Sequence, residues 1–136
     1  MKNFVFALLG VFLMASCAVN SSVKSGGKQL PLENTNWILV NEGIKENTKP
    51  TLLIEKEKVL GNLGCNNYFG SLKVNPSSGS FLVSGIGSTK MLCDDKKMWV
   101  ENNFSDILSK VNRYVVSGDF LELYQNNLLL VKFKRQ

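Results

Sequence analysis

The chain has 136 residues, 44% of them hydrophobic, with 16 basic and 11 acidic side chains and no histidine. That length supports one domain with a single modest core. The missing histidine removes Ser-His-Asp and Cys-His catalysis in their usual forms and the commonest metal ligand, and the net charge of +5 is carried by scattered lysines rather than the basic stripe that nucleic acid binding needs.

Residues 1–16, MKNFVFALLGVFLMAS, read as an export signal. Lys2 is the positive start, Phe4 to Met14 is an apolar run broken only by Gly10, and Ala15-Ser16 are small. A spanning helix needs ~20 apolar residues, so this run of about eleven fits a removable segment. Leu13-Met14-Ala15-Ser16-Cys17 resembles the bacterial lipobox, with Met14 where leucine is usual. The resemblance implies a diacylglyceryl group on Cys17, and acyl chains hold firmly because each buried CH2 contributes ~0.8 kcal/mol.

Residues 17–31 continue as a Gly/Ser-rich, lysine-bearing stretch, read as a flexible tether spanning on the order of 20 Å. No acidic residue follows Cys17 in it. By similarity to known lipoprotein sorting, the expected location is the outer membrane, facing the periplasm. Without Lys2, fifteen basic and eleven acidic residues leave the mature chain mildly basic.

Residues 32–136 form the expected domain. Thr35–Val40 and Pro50–Glu55 are apolar strand candidates. Glu55-Lys56-Glu57-Lys58 reads as a polar turn into Val59-Leu60-Gly61. Tyr68 to Val74 alternates, Asn75-Pro76-Ser77-Ser78-Gly79 carries turn residues, and Ser80–Ser84 is the next strand. Val100, Phe104, Ile107, Leu108 and Val111 then fall at helical spacing, which predicts an amphipathic helix over about 95–112, started by Asp94 or Asp95. Glu101 lies off that stripe. Arg113–Val116, Phe120–Tyr124 and Leu128–Lys134 follow as a meander with tight turns. Leu128 to Val131 is apolar at four consecutive positions, which predicts a strand buried on both faces. The expected architecture is mainly β: a small antiparallel β-barrel or rolled sheet of about eight short strands with one helix.

With Cys17 assigned to the lipid, Cys65 and Cys93 remain, and an even pair in an exported domain favours a disulfide. Such a loop stabilises by roughly 3–4 kcal/mol in the chain-entropy model. Three other arrangements compete: two unbonded thiols, a thiol activated by Lys90, Lys96 or Lys97, and a zinc site from Cys65, Cys93, Asp94 and Asp95, which lacks CxxC pairs. Asn66, Asn67 and Tyr68 in Gly64-Cys65-Asn66-Asn67-Tyr68-Phe69-Gly70 are ligand candidates, but amides and glycines so placed serve turns and close backbone contacts more often. No metal or cofactor is expected.

Four segments together carry a resemblance: Leu32-Glu33-Asn34-Thr35-Asn36-Trp37, Gly64 to Gly70, Gly87-Ser88-Thr89-Lys90-Met91-Leu92-Cys93, and Phe120-Leu121-Glu122-Leu123. They are similar to the META domain, the HslJ-like family, over about residues 32–135. The resemblance implies a mostly β fold with one helix, an exported or lipid-anchored protein tied to envelope or stress functions, and proximity of the two cysteine segments, which strengthens the disulfide reading. It supplies no catalytic residue.

The functional expectation is a non-enzymatic, membrane-anchored lipoprotein acting as a binding or stress-tolerance module for an envelope protein or small ligand. One variant is an inhibitor of an envelope hydrolase. The competing class is an enzyme using paired carboxylates, Asp94/Asp95 or Glu55/Glu57, which helix capping and solvated turns explain more simply.

Overall fold

The computed structural model describes residues 28–136; the export signal and Cys17 lie outside the described residues. Eight antiparallel strands close into a barrel in sequence order. They are β1 (Thr35–Leu39), β2 (Thr51–Glu55), β3 (Lys58–Asn62), β4 (Asn67–Asn75), β5 (Ser80–Ser88), β6 (Arg113–Ser117), β7 (Phe120–Gln125) and β8 (Leu128–Arg135). The helix, α1 (Asp95–Lys110), lies between β5 and β6 in the chain, and a 3-10 turn at Glu46–Thr48 precedes β2. The expected small barrel with one helix is therefore the fold observed.

Side-chain alternation fills the interior. Along β2, Leu52 and Ile54 are buried while Leu53 and Glu55 are exposed. Trp37, Val59, Phe81, Tyr114, Leu121, Leu123 and Phe133 complete a fully buried core, each contributing about 1.5–3 kcal/mol by leaving water. Polar atoms inside are paired: Trp37 Nε1 donates to Thr35 Oγ1 at 2.7 Å, and Thr35 Oγ1 donates to the Leu32 carbonyl at 2.5 Å. Phe104 carries the helix into this core, edge-on to Tyr68 and Phe133 with ring centroids 6.1 and 5.8 Å away.

Because the strands alternate in direction, the connections sort to two poles. The β1–β2, β3–β4 and β7–β8 connections lie at the helix pole with the segment leading into α1. The β2–β3, β4–β5 and β6–β7 turns lie at the other, where the chain enters. There the Gln29 amide donates to the Pro76 carbonyl at 2.6 Å, the Val116 amide donates to Gln29 Oε1 at 3.1 Å, and Tyr114 Oη donates to the Leu30 carbonyl at 3.2 Å.

Two expectations need correction. Leu128 and Leu129 are exposed and only Val131 is buried, so the apolar run is not covered on both faces. Leu128 and Leu129 stand at the start of β8, beside the β7–β8 turn, and face solvent. Strand β5 runs to Ser88 rather than stopping near Ser84, because the ladder tolerates a register shift opposite Phe69 and Ser71 and Gly85 takes a φ of 61°.

Candidate functional site at the helix pole

The β3–β4 connection, Leu63-Gly64-Cys65-Asn66, begins with an Asx turn in which the Gly64 amide donates to Asn62 Oδ1 at 2.7 Å. The Leu63 amide donates to the Asn66 carbonyl at 2.8 Å and closes the loop. Gly64 has a φ of 116°, and a Cβ there would lie 2.8 Å from Val100 Cγ1 and 3.2 Å from the Thr48 carbonyl. Only glycine lets the loop approach the helix this closely.

Asn66 stands at the centre. Its backbone amide donates to Glu101 Oε2 at 2.8 Å, and its Nδ2 lies 3.0 Å from both Glu101 oxygens and 3.2 Å from the Met91 carbonyl. Its Oδ1 accepts from Thr89 Oγ1 at 2.8 Å and from the Met91 amide at 2.6 Å. One 2% exposed amide thus ties together the β3–β4 loop, the segment after β5, and α1. Glu101 is buried, and both its oxygens accept from Asn66 N–H groups.

Cys65 and Cys93 form a disulfide with Cα atoms 6.2 Å apart, linking the same loop to the same segment. The bridge takes both sulfurs out of play as thiolate ligands or nucleophiles, which removes the zinc and reactive-thiol readings. Among the described residues no group of three or more His, Cys, Asp or Glu side chains is placed to hold a metal ion.

The remaining candidates do structural work. Asn67 exchanges bonds with Thr89: its amide donates to Thr89 Oγ1 at 3.2 Å, and the Thr89 amide donates to its carbonyl at 3.0 Å. Tyr68 is buried against Phe104 and donates from Oη to the Thr51 carbonyl at 3.1 Å; burial pushes its phenol pKa well above the usual value. Asp94 caps α1, its Oδ1 accepting from the Lys97 amide at 3.1 Å, while Asp95 sits exposed in the first turn. Glu55 and Glu57 flank the β2–β3 turn at the opposite pole, so the two carboxylate pairs are not brought together.

The helix pole also leaves apolar surface open. Leu92 is 94% exposed and Trp99 64%, and Val40, Met91, Leu128 and Leu129 are exposed as well. Two shallow depressions, of about 400 and 610 Å³, share Ile44, Trp99 and Val100 and so flank the indole on either side. Val40, Ile107, Leu129 and Leu130 make the first largely aliphatic; Lys45, Asn47, Asp94 and Lys97 give the second a polar rim. Sequence reasoning missed both Trp99 and Glu101. Trp99 lies beside the apolar stripe, and Glu101 is a charged helix residue whose burial follows only from the loop that meets it.

A family model described as the META domain matches residues 30–136. Two solved structures are similar in fold. An NMR structure of a protein from Burkholderia xenovorans is 22% identical, with a TM-score of 0.63, covering 77% of this chain and 83% of that one. A second NMR structure is 17% identical, with a TM-score of 0.60, covering 78% and 95%. No curated protein matches the chain.

Proposed function

The chain belongs to the META domain family, and on that premise we propose that it is a non-enzymatic binding module of the bacterial envelope, tethered through a lipidated Cys17 and meeting its partner with the surface around Trp99. A contrast at one pole supports this reading. The polar groups that looked reactive in the sequence are spent on internal bonds, while large apolar side chains beside them remain in water. Aromatic and methionine side chains so placed are the usual anchors of protein contacts, and exposed apolar patches mark binding sites more often than catalytic ones.

The test is affinity purification of the tagged chain from membranes, with mass spectrometry of the bait and its companions. A diacylglyceryl mass on Cys17 and release of Cys17→Ala into the soluble fraction are expected. A companion protein that is retained by the parent chain and lost on Trp99→Ala would identify the contact surface. Recovery of Cys17→Ala wholly in membranes defeats the tether, and an unchanged set of companions with Trp99→Ala defeats the surface.

A further inference from the structure

The two sides of the Trp99 indole differ in charge. On one side the depression is aliphatic, lined by Val40, Ile107, Leu129 and Leu130. On the other, three lysines stand on the rim: Lys45 from the β1–β2 connection, and Lys96 and Lys97 from the first turn of α1. Among the described residues none of these three forms an ion pair, whereas Lys49, Lys110 and Lys132 are paired with Glu46, Asp106 and Glu122.

Two of the three stand where helix stability does not place them. The start of a helix carries the positive end of the macrodipole, so cations there are unfavourable and anions favourable. Lys96 and Lys97 are the second and third residues of α1, and the third position is where a glutamate ordinarily reaches back to the N-cap amide. The helix end is already closed from within, since Asp94 Oδ1 accepts from the Lys97 amide. Asp94 and Asp95 share the rim, but both belong to the helix start, whose positive end offsets their charge. The lysines are left without a counter-ion in the chain, and a residue set against a local rule with no compensating contact is expected at functional surfaces.

Resting on the reading of this pole as a protein-contact surface, we propose that the partner presents a short acidic segment with an apolar anchor. The anchor enters the aliphatic depression beside Trp99, and the neighbouring carboxylates meet Lys45, Lys96 and Lys97. The two depressions share Ile44, Trp99 and Val100, so one continuous segment crossing the indole reaches both. The buried anchor supplies most of the binding, and complementary charge sets the register and speeds encounter.

Charge selects a different protein over the chain's own segments. Residues 17–31 hold Lys24 and Lys28 and no acidic side chain, and the chain enters at the opposite pole. A second copy is net basic, and Asp94-Asp95 is the one place in its sequence where two acidic residues are adjacent. That pair is committed to the start of α1.

The experiment photo-crosslinks the full exported chain in membranes, with a photoreactive phenylalanine in place of Asn47, an exposed residue on the lysine rim. Mass spectrometry sequences the attached segment, which should carry more than one carboxylate beside an apolar side chain. A synthetic peptide of that segment is then titrated against the purified chain by calorimetry. Lys96→Glu/Lys97→Glu should weaken its binding by about tenfold or more, and replacing the peptide's carboxylates with lysine should restore affinity for that variant. Glutamate at the helix start favours the fold, so unfolding does not account for such a loss. Lys56→Glu, in the β2–β3 turn at the opposite pole, should leave binding unchanged. An adduct with lipid or glycan, an attached segment without carboxylates, no adduct, or binding indifferent to Lys96 and Lys97 overturns the proposal. If Trp99→Ala abolishes binding and Lys96→Glu/Lys97→Glu does not, the contact surface stands and the acidic partner falls.

Discussion

Asn66 concentrates more of the structure than any other side chain in the loop. Its amide satisfies the Met91 backbone, the Thr89 hydroxyl and the Glu101 carboxylate at once. Removing one partner of a buried bond leaves the other desolvated, at about 1–3 kcal/mol and more for a charged group. Asn66→Ala should therefore lower stability by about 3 kcal/mol, read from the urea midpoint. Asn66→Asp should cost more than Asn66→Ala, because it sets a second carboxylate against Glu101; a cost no larger than that of alanine would show that the two side chains do not meet. The tyrosines give a dependence on pH. Burial raises the pKa of Tyr68, Tyr114 and Tyr124, with the Glu122 hydrogen bond adding to the last. Their stabilisation is fully present below the unfolded value of about 10 and is lost as pH rises above it, by ~1.4 kcal/mol per unit for each proton retained only in the fold. Tyr68→Phe should flatten the fall in stability between pH 10 and 11 relative to the parent chain.

At the scale of elements, α1 is held to the barrel from two directions. Phe104 and Leu108 enter the core, and the start of the helix is fastened through Glu101, the Asp94 cap and the disulfide segment. The Cys65–Cys93 bridge closes a 28-residue separation, and its loss in Cys65→Ser/Cys93→Ser should cost roughly 3–4 kcal/mol. Asp94→Ala should cost about 1 kcal/mol through the helix cap alone. Thermal unfolding with and without reductant separates the two: reductant should lower the midpoint of Asp94→Ala and leave that of the double cysteine variant unchanged. The helix, the strands and the turn at Asn75–Gly79 were legible because apolar periodicity and turn residues are local signals. Barrel closure was foreseen only as an alternative to a rolled sheet, since the β1–β8 pairing joins residues at the two ends of the domain. The exposure of Leu128 and the burial of Glu101 were not legible, because each depends on what another element places beside it. The disulfide was readable as a pairing, but the amide beside it reads in sequence like any turn asparagine, and nothing local marks it as the hub.

At the scale of the molecule, the chain enters at the pole opposite Trp99. Gln29 and Leu30 are bonded to β6 and the β4–β5 turn, whereas Trp99, Leu92 and Leu128 are exposed at the other end. A nine-residue strand such as β4 is about 30 Å long, so a barrel hung from its entry pole carries Trp99 roughly that far from the attachment point. If Cys17 bears the lipid, the attachment lies at the pole opposite the indole, which leaves Trp99 open to a partner. The two tryptophans make this measurable, since Trp37 is fully buried and Trp99 is not. In vesicles containing the lipidated protein, iodide should quench the exposed fraction of the emission, and lipids brominated on their acyl chains should quench little of it. Trp99→Phe should abolish the iodide-sensitive fraction and leave the Trp37 signal. Strong quenching by the brominated lipids would instead lay the helix pole on the membrane, and the apolar side chains around Trp99 would then be a lipid contact rather than a surface for a protein partner.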